Sequence, residues 1–170
     1  MKRVLVLAGL LGLAGRAEAQ GGATVSADAV IVTVGMKIAT LRDLDFGTVI
    51  KGVPTTVLPT AANAGEWQVT GSANAFVVIA FTLPTQLTNI QALPGSTMPI
   101  TFSAVSAIWR RATNNPVGGT IFNPATGAVG RLGPPPNFNM YIWIGGTVNP
   151  AAAAKPGIYQ GNVIVSLIYQ

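Results

Sequence analysis

From Gln20 onward no stretch of the chain carries a helical period. Apolar and β-branched runs such as AFVVIAFTL (75–83), MYIWIGGTV (140–148) and NVIVSLIY (162–169) are each cut short by Gly, Pro, Asn or Thr. Short β-prone runs at close spacing, bounded by turn residues, mark an all-β sandwich or barrel. The 20 Gly and 12 Pro supply the turns such a fold needs. The pattern predicts strands near 24–34, 36–41, 43–50, 54–59, 65–71, 75–83, 98–106, 118–123, 138–148 and 158–169. Loops fall at 112–116, 133–137 and 149–157, where the run AAAA between prolines is too short for a stable helix. No internal repeat and no second domain stand out.

The faces of these runs are informative. AFVVIAFTL is apolar on both sides, whereas an antiparallel strand with one wet face alternates, so both of its faces are expected to be covered. In the last run Val163, Val165, Leu167 and Tyr169 share one face, opposite Asn162, Ile164, Ser166 and Ile168.

The first 19 residues read as an export signal. Lys2 and Arg3 precede the apolar run Val4 to Ala14, and Ala17-Glu18-Ala19 has the small-x-small pattern of a cleavage site. The run is shorter than the ~20 residues that span a bilayer. The expectation is a signal peptide at 1–19, a secreted, cell-surface product, and no membrane span in the mature chain. With Lys2, Arg3, Arg16 and Glu18 removed, 7 bases and 4 acids remain, so the full-chain pI of 10.1 overstates the basicity. Only Arg110 and Arg111 are adjacent. A phosphate backbone needs clustered cations, so no nucleic-acid partner is expected. Charged residues make up 9% of the chain against about a quarter in an ordinary domain. At 49% hydrophobic residues, a lone soluble subunit has little polar surface with which to cover itself. Contacts between copies of the chain would cover it. There is no cysteine, so no disulfide staples the fold.

Catalytic chemistry is sparsely provided. Without His or Cys there are no usual zinc ligands, no thiol nucleophile and no Ser-His triad. The remaining acids are Asp28, Asp43, Asp45 and Glu66. Asp43 and Asp45 lie side by side on one strand face and do not oppose each other across a cleft as glycosidase carboxylates do. Calcium wants six to eight oxygens, so the pair reads first as turn and edge-strand acids. GRLGPPPNF (130–138) lacks the strand-to-helix setting of a phosphate loop. Trp67, Trp109 and Trp143 read as core and interface anchors before they read as a sugar-stacking platform. The expectation is a protein that is not an enzyme and uses no cofactor and no metal.

Two stretches carry a resemblance: LDFGTV (44–49) behind a long β-prone lead, and the ending PGIYQGNVIVSLIY (156–169), with Gly-x-Tyr-x-Gly before an alternating strand. In that order, with GGTV (145–148) between, they resemble a secreted bacterial pilin-like family of unknown function. That family is itself similar to archaic chaperone–usher pilins and spore-coat U-type domains. The resemblance implies an immunoglobulin-like β-sandwich lacking one strand, polymerised when a neighbour's N-terminal segment inserts into it. It implies a homopolymer, with a periplasmic chaperone and an outer-membrane usher as assembly partners. Archaic pilins often carry a disulfide, which this chain lacks.

The residues allow the same reading physically. An extended segment added to an open sheet edge gains main-chain hydrogen bonds, while alternate side chains fill pockets. On this reading residues 20–34 are a donor strand and 35–170 the sandwich. Val25, Ala27, Ala29 and Ile31 form the row expected to insert, because it leaves Ser26 and Asp28 outside. Phe46, Val163, Val165, Leu167 and Tyr169 are the expected groove. Alternatively, the segment folds back as an edge strand of its own domain. Two further functions compete: a monomeric secreted module that binds carbohydrate or a surface, and a small outer-membrane barrel. The barrel lacks the polar inward rows it needs.

Overall fold

The computed structural model describes residues 22–31, 35–91 and 96–170; the side chains of 28–31, like the export signal expected at 1–19, lie outside the described residues. Among the described residues fourteen strands in chain order make two sheets, and there is no helix. The strands are β1 (Gly22–Ile31), β2 (Lys37–Arg42), β3 (Leu44–Thr48), β4 (Thr55–Val57), β5 (Gly65–Thr70), β6 (Phe76–Thr82) and β7 (Gln86–Asn89). They continue as β8 (Thr97–Thr101), β9 (Ala107–Arg111), β10 (Thr120–Phe122), β11 (Ala128–Arg131), β12 (Asn139–Ile144), β13 (Gly146–Val148) and β14 (Tyr159–Tyr169). The larger sheet runs β11-β6-β14-β7-β8-β13-β4, with β1 and β3 added beyond β14; the smaller runs β10-β9-β12-β5-β2. The expected all-β sandwich is what forms.

Alternation buries one row from each sheet against the other. Trp67 and Val69 of β5, with Met140, Ile142 and Ile144 of β12, join Val77 and Ile79 of β6 and Val163, Val165 and Leu167 of β14 in one core. Trp67 tilts against Phe81, which stacks on Phe122. One strand serves both sheets. The run 138–148, expected as a single strand, pairs from Asn139 to Ile144 with β5 and β9 and from Gly146 to Val148 with β4 and β8. Gly145 sits at the switch, where a Cβ would lie 2.2 Å from the carbonyl oxygen of Val57, so only a bare backbone passes.

The expectation that both faces of AFVVIAFTL are covered does not hold for the single chain. Val77 and Ile79 are buried, but Phe76 is 50% and Val78 37% exposed. An apolar row of Val129, Val78 and Ile168 crosses β11, β6 and β14 on the outer face. The strand is greasy on its second side, and among the described residues no second layer meets it.

Candidate functional site

The place where sequence and structure converge is the groove occupied by β1. This strand lies between β14 and β3. It runs parallel to β14 from Ala23 opposite Tyr159 to Ile31 opposite Leu167, and antiparallel to β3 from Gly22 opposite Thr48 to Val25 opposite Leu44. β3 has no other ladder partner among the described residues, so β1 alone joins it to the sheet. Ala23, Val25 and Ala27 point into the core. Ala29 and Ile31 continue the backbone register opposite Val165 and Leu167, and their side chains lie outside the described residues. Residues 32–34, the end of the expected segment, also lie outside them.

Of the expected groove residues, Phe46 lies on β3 and Val163, Val165 and Leu167 on β14, the two strands that flank β1, while Tyr169 lies beyond the described end of the β1 ladder. Phe46, Val163, Val165 and Leu167 are buried, and Tyr169 is half-buried with its hydroxyl accepting the Ser72 N–H at 2.9 Å. Each is placed by local chemistry. In LDFG the ladder with β1 shifts register, so that Phe46 is the extra residue between the Thr24–Asp45 and Ala23–Gly47 pairs. Gly47 takes the left-handed conformation a bulge requires, with φ of 61°, and its N–H donates to Asp45 Oδ1 at 2.7 Å. Leu44 and Phe46, two residues apart, share the face that reaches the core.

Beyond Val25 the β3 ladder ends, and two side chains take over. Ala27 donates its N–H to Asp43 Oδ1 at 3.0 Å, and its carbonyl accepts the Thr40 hydroxyl at 2.8 Å. Asp43 and Asp45, weighed above for calcium, therefore each accept a backbone N–H. The sequence reading missed Thr40 altogether. Nothing in TLRDL distinguishes it; only the fold, by bringing β2 beside β1, exposes its role.

Elsewhere the chemistry is structural. Glu66, 5% exposed, pairs through Oε2 with Arg42, whose Nε donates to the Ala64 carbonyl. Trp67 and Trp109 pack into the core, whereas Trp143 lies on the opposite side of its sheet, stacked on Tyr141 and only 1% exposed. The three tryptophans share no open surface. A shallow hollow of about 240 Å³ between β9 and the turn before β10 is lined by Arg110, Arg111 and Gly118, but the Arg110 guanidinium is occupied by the carbonyls of Asn115 and Val117. No helix among the described residues is long and apolar enough to cross a membrane.

These features define a two-sheet β-sandwich whose first strand fills a groove lined by its last. Over residues 36–169 the chain matches, and belongs to, the family described as a domain of unknown function (DUF4402). The match begins at Met36, which leaves β1 outside it. A comparison with curated proteins finds no match.

Proposed function

We propose that this chain is the structural subunit of a secreted, pilus-like extracellular filament, in which residues 20–34 of one subunit fill the groove of the next. The observation that carries this reading is the placement of β1. It lies outside the matched domain and is linked along the chain to β2 by residues 32–36. Yet it fills a groove that the domain leaves open between β14 and β3. A segment that leaves its own groove and enters an identical one makes the same contacts. The balance then rests on the connecting link and on subunit concentration, which is the logic of strand exchange between like chains. Each buried Val in the joint contributes roughly 1.5–3 kcal/mol, and the main-chain ladder adds to it. The low charge content fits a subunit whose neighbours cover it. On this reading a chaperone and usher would guard the empty groove until a donor strand arrives.

One observation favours a second reading. β1 sits in its own groove, as a self-sufficient secreted binding module would have it. Electron microscopy and light scattering of the secreted chain separate the two. Thin fibres that disappear on deletion of residues 20–34 are expected; fibres that survive the deletion, or a lasting monomer at high concentration, overturn the filament.

A further inference from the structure

Ala27 is 7% exposed, and the face of its backbone turned away from β14 has lost the β3 ladder, so its N–H and carbonyl need other partners at a part-buried site whose outer side is formed by the exposed Thr40 and Asp43. Leaving such main-chain groups unpaired is costly to the extent that water is kept from them. Asp43 and Thr40 supply the partners from the seam between the sheets. Thr40 stands on β2, the edge strand of the smaller sheet, and Asp43 in the one-residue link to β3. A local irregularity follows the threonine. The β2–β5 register shifts between Thr40 and Arg42, leaving Leu41 as the extra residue of a bulge, a feature that re-aims side chains.

Both contacts grip main chain and neither reads a side chain. In an extended strand the N–H and carbonyl of one residue point to the same side. The pair therefore accepts a strand in one phase only: a slip by one residue turns these groups toward β14. We propose that Thr40 and Asp43 are a latch that governs capture and release of the N-terminal strand, holding residues 22–31 of this chain or of a second copy at Ala27. The latch itself follows from contacts within one chain; its role in assembly rests on the filament reading.

The full chain provides the test, through site-resolved amide hydrogen exchange and uptake of a labelled peptide with the sequence of residues 22–31. In Asp43→Leu and Thr40→Val the β1 amides are expected to exchange about tenfold or more faster, the scale of one lost strong hydrogen bond. The Val69 and Ile142 amides of the β5–β12 ladder should keep their rates, and Asp43→Asn and Thr40→Ser, which keep the bonding atoms, should behave as the unaltered chain. Should Asp43→Leu fail to fold, Thr40→Val carries the same comparison. Unchanged β1 amides, or equal acceleration in β1 and β5–β12, would overturn the latch. Faster peptide uptake by the leucine and valine variants supports both latch and exchange between chains. Looser β1 amides with no uptake by any variant support the latch and count against the filament.

Discussion

Gly47 and Gly145 are both glycines of necessity, for different physical reasons. Gly47 needs a left-handed backbone, and a Cβ there would meet nothing within 4 Å. Gly145 needs no unusual dihedral, but its Cβ would strike the Val57 carbonyl. Gly47→Ala should therefore cost only the conformational penalty, about 1–2 kcal/mol. Gly145→Ala should cost more than ~2 kcal/mol, because the crossing backbones must separate. Chemical denaturation of the two variants measures the contrast, and equal losses would contradict it. The first requirement is hinted at in the sequence, since a Gly within LDFG suggests a bulge. The second is not, because a close approach between Gly145 and Val57 depends on a pairing that no local pattern encodes.

At the scale of elements, β1 offers the sharpest comparison. Val25 is fully buried and its neighbour Ser26 faces the other way. Val25→Asp places an unpaired charge in the core and should loosen the strand by several kcal/mol, whereas Ser26→Lys should stay within ~0.5 kcal/mol. Thermal melts of both variants read the phase of the strand directly. The long alternating elements were legible: β5, β6, β12 and β14 lie within a residue or two of the spans their periodicity predicts, apart from the switch at Gly145. Three short strands were not. QLTN of β7 is mostly polar, AIWRR of β9 ends in paired arginines, and AVGR of β11 holds four residues. Their order comes from the strands they pair with, β8, β12 and β6, which is tertiary information. The groove was half legible. Its apolar lining follows from alternation, while the Thr40 and Asp43 contacts with Ala27 depend on two sheets meeting.

At the scale of the whole molecule, the outer apolar row of Val129, Val78 and Ile168 lies in water in the single chain, with Phe76 beneath the Arg131 guanidinium. Val78→Lys should change unfolding by no more than ~0.5 kcal/mol while raising the concentration at which the chain stays dispersed, as light scattering would show. A loss of several kcal/mol would mean that this face is part of the core after all. The parallel pairing of β1 with β14 has a consequence in time. Ala23 finds its partner at Tyr159, so the first strand made must wait for the last. Contacts this distant in sequence form slowly, because loop closure precedes any gain from pairing. During synthesis the earliest described strand is thus the last to be satisfied, and on the proposed filament reading that delay is the interval in which another chain's strand would compete for the place.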